Sequence, residues 1–293
     1  MFGKPEFFTR YKQLGHEIGP VMLSPCIRVN SLKISHAALL QRLGKEGVVL
    51  EKANARDAFI VKRSKFSLGA CVEHLLGYFY VQSLAAQLPV QVLNPLPSDR
   101  VLDCCAAPGG KTTQLCQWMN NRGVIVALEK KDIRFPALRN ALNRFSTRNV
   151  VAFKMDCYNV KQLGMKYDKV LLDAPCSGNY ASDPDWFEKR TLKDVRHSAR
   201  IQKDLLAAAI KATRNGGIVV YSTCSLEPEE NELNIQWALD NFRVKILPTG
   251  LTSGDPGLTK VFTKTLSKDM SLCRRFWPGK YGTEGFFVAR LKC

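Results

Sequence analysis

Beyond residue 100 the apolar residues of this chain alternate between two spacings. Short apolar runs occur at Arg100–Cys104, Val124–Leu128, Val150–Lys154, Lys169–Leu172 and Ile218–Ser222, with the length and β-branched content of buried strands. Between the runs, apolar positions recur every three to four residues. Lys111–Asn121 ends before Gly123, and Ile133–Arg144 follows the second run. Ile201–Thr213 sets Ile201, Leu205, Leu206, Ala209 and Ile210 on one face and stops at Asn215-Gly216-Gly217. Gly285–Leu291 reads as a last strand. Alternating strands and helices predict an α/β fold, a doubly wound parallel sheet with helices on both faces.

The earlier part of the chain has a different rhythm. Strands are expected at Cys26–Asn30, Val48–Glu51 and Phe59–Val61, a helix at Ser35–Lys45, extended chain at Gly77–Val81 and a helix at Gln82–Leu93. Asn94-Pro95-Leu96-Pro97-Ser98-Asp99 then breaks the pattern, because two closely spaced prolines cannot continue a helix. The boundary falls between residues 70 and 95. The expected organisation is a small α+β domain over residues 1–80 and a larger domain over 81–293, with no internal repeat.

Composition narrows the partners. The 293 residues are 45% hydrophobic, which excludes disorder as the dominant state. No apolar run reaches the length of a membrane span, and the start is too polar for a secretory signal, so a cytoplasmic protein without membrane attachment is expected. Basic residues outnumber acidic ones by 43 to 26, for a net charge of +17. Residues 1–75 carry 12 basic and 6 acidic groups and residues 240–293 carry 10 and 4, so the flanks are proportionally the more basic parts. Such an excess suits a polyanion, most often nucleic acid. Ten cysteines without a Cys-x-x-Cys pair, and four histidines far apart, support neither a metal site nor a redox pair, but free thiols in a reducing compartment.

Candidate chemistry begins where the first strand of the larger domain ends, since ligands in such sheets bind outside the carboxyl ends of the strands. The loop there is Asp103-Cys104-Cys105-Ala106-Ala107-Pro108-Gly109-Gly110-Lys111-Thr112-Thr113. It is not a phosphate loop, because Cys105 stands where G-x-x-x-x-G-K requires its first glycine, and it lacks G-x-G-x-x-G. What remains is a small-residue loop that lets a ligand lie against backbone N–H groups at a helix N-terminus. Glu129 ends the next strand, placed to accept the hydroxyls of a ribose. Asp156 follows the third strand, placed for an adenine amino group, and Asp173 ends the fourth. Acids at successive strand ends beside a loop that fits neither phosphate motif point to a nucleoside without phosphates, such as S-adenosylmethionine.

Two cysteines share those strand ends, Cys176 in Asp173-Ala-Pro-Cys-Ser-Gly178 and Cys224 in Tyr221-Ser-Thr-Cys-Ser225. Methylating a pyrimidine carbon needs a thiol. C5 of cytosine is a weak nucleophile until a thiolate adds at C6, after which C5 is enamine-like and its proton must leave to a base. Methylation of an amino group needs no thiol.

On these segments, together with Arg28-Val-Asn30, Gly77–Gln82, Asp103–Lys111, Asn215–Glu232 and Gly285-Phe-Phe-Val-Ala289, the chain resembles the Nop/Sun family of RNA cytosine-5 methyltransferases over almost its whole length. Its compact size is most similar to archaeal tRNA-modifying members. The resemblance implies a Rossmann-like methyltransferase sheet preceded by a small RNA-recognition-like domain. It implies Cys224 as the nucleophile at C6, Cys176 as the group assisting elimination and product release, and Asp173 as the partner of the cytosine N3/N4 edge. It assigns S-adenosylmethionine to Cys105, Ala106, Ala107, Pro108, Gly109, Gly110 and Lys111, with Glu129, Arg134, Asp156 and Asp173. DNA cytosine-5 enzymes use the thiol of the Pro-Cys segment with a Glu-Asn-Val motif, which is missing here. One departure is Cys104, where the family often has Leu; it reads as core.

The expected function is therefore RNA cytosine-5 methylation, on tRNA in preference to rRNA, by a monomer. A catalytically silent RNA-binding scaffold is the competing class, opposed by the intact thiols, loop and acids. A protein or small-molecule methyltransferase leaves the thiols and the charge unexplained. For RNA contact, Lys62-Arg63-Ser64-Lys65 is either a phosphate contact or a solvated turn. Arg274-Arg275-Phe276-Trp277-Pro278 is either a stacking platform or core beneath the final strand. A base reaching two thiols in a crevice must be extruded from its stack.

Overall fold

A computed structural model describes residues 4–293, so residues 1–3 of the expected small domain lie outside the described residues. The chain opens with helix α1 (Lys4–Gln13), where the sequence pattern predicts no element. Strand β1 (Cys26–Val29), α2 (His36–Lys45), β2 (Val49–Lys52), β3 (Ala58–Arg63), α3 (Val72–Leu75) and β4 (Phe79–Val81) follow. The four strands make an antiparallel sheet in the order β2-β3-β1-β4, a split β-α-β arrangement. Ser35 caps α2 by accepting from the Ala38 N–H, and α2 buries Leu39 and Leu43 in a cluster with Ile27, Val29, Phe59 and Phe79.

Helix α4 (Leu84–Leu93) begins at a Ser83 cap and passes over Pro89. It ends at Asn94, whose φ of 47° lies in the left-handed region, just before the two prolines read as a break. Five parallel strands then build the larger sheet: β5 (Arg100–Asp103), β6 (Val124–Glu129), β7 (Val150–Lys154), β8 (Tyr167–Asp173) and β9 (Thr213–Thr223). Their order is β7-β6-β5-β8-β9, so the chain winds outward from β5 in both directions and leaves its switch point between β5 and β8. The connecting helices are α5 (Gly110–Trp118), α6 (Phe135–Arg144), α7 (Trp186–Lys189) and α8 (Leu192–Ala212). Val170, Leu171 and Leu172 of β8 are all fully buried, as a central strand covered on both faces requires.

The sheet is mixed rather than wholly parallel. After α9 (Glu232–Asn241) the chain adds β10 (Lys245–Leu247), β11 (Asp255–Pro256), the small ladder of β12 (Lys260–Val261) and β13 (Lys264–Thr265), then β14 (Arg274–Phe276) and β15 (Phe286–Lys292). Strand β15 lies antiparallel against β9, with Tyr221 opposite Ala289, and β14 and β11 continue outward.

Two boundaries differ from expectation. Helix α8 starts nine residues before Ile201, because Thr191 and Asp194 form a reciprocal capping box at its start. Asn215-Gly216-Gly217, expected to stop that helix, lies inside β9; Gly216 has φ 74°, and a Cβ on Gly217 would come within 2.9 Å of the Asp168 carbonyl.

Of the two readings left open for Arg274–Pro278, the structure shows the core. Arg275, Phe276 and Trp277 are buried, and the Arg275 guanidinium donates to the Glu232 carboxylate (3.0 Å from Nε) and to the Leu226 carbonyl (2.7 Å). Cation and aromatics are core beneath β15, as the alternative had it.

Candidate active site

The loop after β5 is shaped by its glycines. Gly109, at φ 104°, stands at the N-terminus of α5, where a Cβ would come within 2.7 Å of the Ala141 methyl group. Behind the loop, the fully buried Arg28 of β1 donates to the Gly110 carbonyl (2.7 Å) and to the Thr113 hydroxyl (2.7 Å), fastening the small sheet to the first turn of α5. Burial without a carboxylate partner lowers the Arg28 pKa to about 10. The Arg134 guanidinium, just ahead of α6, donates to the Ala107 carbonyl and lies 3.8 Å from Glu129, so it braces the loop from the other side.

The acids expected at strand ends are there. Glu129 closes β6, buried, and accepts from the Lys131 N–H (2.7 Å). Asp156 caps the turn after β7; burial raises its pKa, but hydrogen bonds from Lys130 (2.8 Å) and the Tyr158 N–H outweigh this and hold it below the ordinary range. Asp173 closes β8 and accepts from the Lys111 ammonium (2.7 Å) and the Ser222 hydroxyl (2.7 Å). Burial disfavours a charged Lys111, yet Asp173 keeps its pKa raised. A cavity of about 610 Å³ is lined by Cys105, Ala107, Glu129, Asp156, Asp173 and both Cys176 and Cys224. Arg134 also lines it, while Pro108, Gly110, Lys111 and Ala106 border a smaller cavity of about 240 Å³ on the side of Tyr80 and Gln82. Cys104 is buried in the core.

Strand register brings the two thiols together. Asp173 pairs with Ser222 across β8 and β9, so the loops carrying Cys176 and Cys224 leave adjacent strand ends side by side. Their sulfurs are 2.9 Å apart. The hydrogen bond with Cys224, then burial, raises the Cys176 pKa well above that of a free thiol. The raised pKa favours a protonated Cys176, and in the contact either sulfur can be the donor.

Two residues that hold these loops, Glu230 and Asn179, and one beneath the cofactor loop, Asp103, were given no role in the sequence. The buried Glu230 carboxylate accepts from the Ser177 N–H (3.0 Å), the Ser177 hydroxyl, the Ser225 hydroxyl (2.7 Å) and the Gln202 amide (2.6 Å), tying both cysteine loops to α8. The Asn179 amide donates to the Cys224 carbonyl (2.7 Å) and the Gly285 carbonyl (3.1 Å). Asp103, buried at the end of β5, accepts from Thr112, and burial pushes its pKa up to about 6. Only Glu230 left a signal, as part of the Glu229-Glu-Asn-Glu232 run that follows Cys224.

Comparison with known proteins places this geometry. A mouse 28S rRNA (cytosine-C(5))-methyltransferase is 35% identical over 274 residues, covering 91% of this chain and 35% of its own length. A tRNA (cytosine(72)-C(5))-methyltransferase of Pyrococcus horikoshii is 39% identical over 216 residues, covering 74% of this chain and 52% of its own. The chain thus spans about a third to a half of the length of these curated relatives. The crystal structure of a methyltransferase homolog protein from Pyrococcus horikoshii superposes with a TM-score of 0.84 at 37% identity, covering 99% of both chains. The sequence model of one family matches residues 90–292, from the end of α4 through the last strand, and the chain belongs to that family, the 16S rRNA methyltransferases RsmB/F.

Proposed function

We propose that the protein is an S-adenosylmethionine-dependent RNA cytosine-C5 methyltransferase acting on tRNA. The observation that carries this is the contact between the Cys176 and Cys224 sulfurs at the edge of a nucleoside-sized cleft. The donor set of the cleft fits S-adenosylmethionine. Of its cations, Lys130 is engaged by Asp156, and Arg134 by Glu129 and the Ala107 carbonyl, while the loop lacks the glycine pattern of a phosphate loop. The stretch from Cys105 to Lys111, with Glu129, Arg134, Asp156 and Asp173, would hold the cofactor. When bound, it supplies an electrophilic methyl carbon.

In this mechanism the chain's own residues prepare the base. With Cys176 as the donor in its contact with Cys224, the Cys224 thiolate, the form that attacks, is favoured. Addition of that thiolate to C6 forms a carbon–sulfur bond and moves electron density to C5. Asp173, bonded to the Lys111 ammonium, orients the N3/N4 edge. After methylation the C5 proton leaves to a base, which is Cys176 once its own proton has gone or a group reached through it, and the electron pair of the C5–H bond expels Cys224 from C6 as its thiolate. The small sheet, with Lys62, Arg63 and Lys65 exposed beside it, would meet the RNA outside the cleft.

The tRNA preference rests on the 39% identical relative named for tRNA. Ribosomal RNA is the second reading, favoured by the family's description and the mouse relative. The test is transfer of a tritiated methyl group to purified tRNA and rRNA, followed by mapping of methylcytosine. Cys224→Ala is expected to abolish transfer, and Cys176→Ala to leave protein covalently bound to RNA on denaturing gels. Full transfer by Cys224→Ala would remove the mechanism.

A further inference from the structure

Helix α8 borders the cleft with Ile201, Asp204 and Leu205, and on its adjoining face it lines a second groove. That groove, of about 270 Å³, is formed by Arg196, Ala199, Arg200 and Lys203 of α8 with Glu229 and Leu233. The three cations stand at i, i+4 and i+7, one above another on the helix. Arg196 and Arg200 are exposed, and neither makes an ion pair or hydrogen bond among the described residues. The Lys203 ammonium lies 5.8 Å from the Trp237 ring. Glu229, the groove's one acid, is engaged on both oxygens by the Arg10 guanidinium (2.8 and 2.7 Å), which it shares with Glu227.

Three like charges therefore converge on one concavity without a counter-charge of their own. The opposite wall belongs to the loop that starts at Cys224, and the next residue after Glu229, Glu230, is hydrogen-bonded to the loop of Cys176. An anion seated in the groove would lie against the same segment that carries the nucleophile. Guanidinium groups fork onto phosphate oxygens, and a lysine adds a point charge. Since binding of a nucleic acid is dominated by its phosphates, a cationic groove on the same helix that borders the cleft suits the strand flanking a base bound there.

We propose that the groove of Arg196, Arg200 and Lys203 is a phosphate-binding site for the RNA backbone next to the target nucleotide; this rests on the reading of the chain as an RNA methyltransferase. The test compares the wild type with Arg196→Glu/Arg200→Glu and with a control of equal charge change, Arg122→Glu/Arg148→Glu. The control pair is exposed just ahead of β6 and β7, at the amino ends of the strands, opposite the cleft. Dissociation constants for tRNA and for an rRNA fragment are measured at several salt concentrations between about 50 and 200 mM. The groove variant is expected to bind about tenfold more weakly or worse, with a log–log salt slope shallower by about 1.4, two single-strand contacts at about 0.7 each. The control should lose less than about threefold, and calorimetric affinity for S-adenosylmethionine should be unchanged in both. Equal losses in the two variants, or no loss in the groove variant, would overturn the site. If the wild type binds RNA but transfers no methyl group to it, the functional reading fails while the affinity ratio still judges the groove.

Discussion

Asp103 is a carboxyl group placed where charge is costly. One oxygen accepts from Thr112, the other has no partner, and the side chain is almost wholly buried. Burial raises its pKa from 3.8 to about 6. The folded state thus holds this proton more tightly than the unfolded chain, so the stability it confers is complete below about pH 4 and is lost as pH rises through about 6. A shift of that size corresponds to on the order of 3 kcal/mol. Asp103→Asn is expected to erase this contribution. The difference in urea-unfolding free energy between variant and wild type should move in the variant's favour between about pH 4 and pH 7; a difference that stays flat with pH would contradict the assignment. The acids at the strand ends were legible in the sequence because a parallel sheet places the last residue of each strand at the crevice. The buried ion pair of Arg275 was not. A cation next to aromatics suits a surface platform as well as a core, and the deciding partner, Glu232, stands 43 positions earlier.

Among the elements, the two thiol-bearing loops depend on a helix to which neither is joined directly. Gln202 of α8 donates to the Pro175 carbonyl (2.9 Å) and to Glu230, and Glu230 in turn gathers Ser177 and Ser225. The Tyr221 hydroxyl donates to the Glu230 carbonyl and to Gln202 (3.2 Å), closing the network beneath the cysteines. Removing the carboxylate strands several buried donors at once, each costing about 1–3 kcal/mol when left unpaired. Glu230→Ala is therefore expected to lose about 3 kcal/mol or more in urea unfolding. It should also slow formation of the protein–RNA adduct in a Cys176→Ala background. A loss below about 1 kcal/mol would mean that the loops are held by something else. The apolar pattern announced α8 but started it late, since the capping box of Thr191 and Asp194 precedes the regular apolar stripe. It missed α1 and α9, whose apolar faces are short and meet partners that no local pattern reveals.

At the scale of the molecule, the chain's beginning is folded onto its chemistry. Phe7, Tyr11 and Leu14 of the first segment are buried against Trp186 and Phe187 of α7, Leu226 of the Cys224 loop and Trp277 just after β14. The Phe7 and Trp186 rings meet edge to face at 4.7 Å, and His16 stacks on Trp277 at 4.4 Å while its Nε2 is 3.0 Å from the Tyr180 hydroxyl. Arg10 completes the seal with its bonds to Glu227 and Glu229. So α1 packs on the large unit, although it precedes the small sheet in sequence, and a boundary drawn at residue 80 separates residues that touch. Two successive elements, α1 and β1 with Arg28, support the site through different contacts. The α1 support is mainly apolar, so its cost of removal follows volume: Phe7→Ala, leaving a cavity against α7 and the Cys224 loop, is expected to lose about 3–5 kcal/mol. Phe7→Leu, which fills most of the space, should lose about half as much or less. Urea unfolding of the two variants, read beside the rate of methyl transfer at a temperature where both stay folded, checks this. If Phe7→Ala unfolds at the same denaturant concentration as the wild type, α1 is not packed on α7 and the Cys224 loop as described.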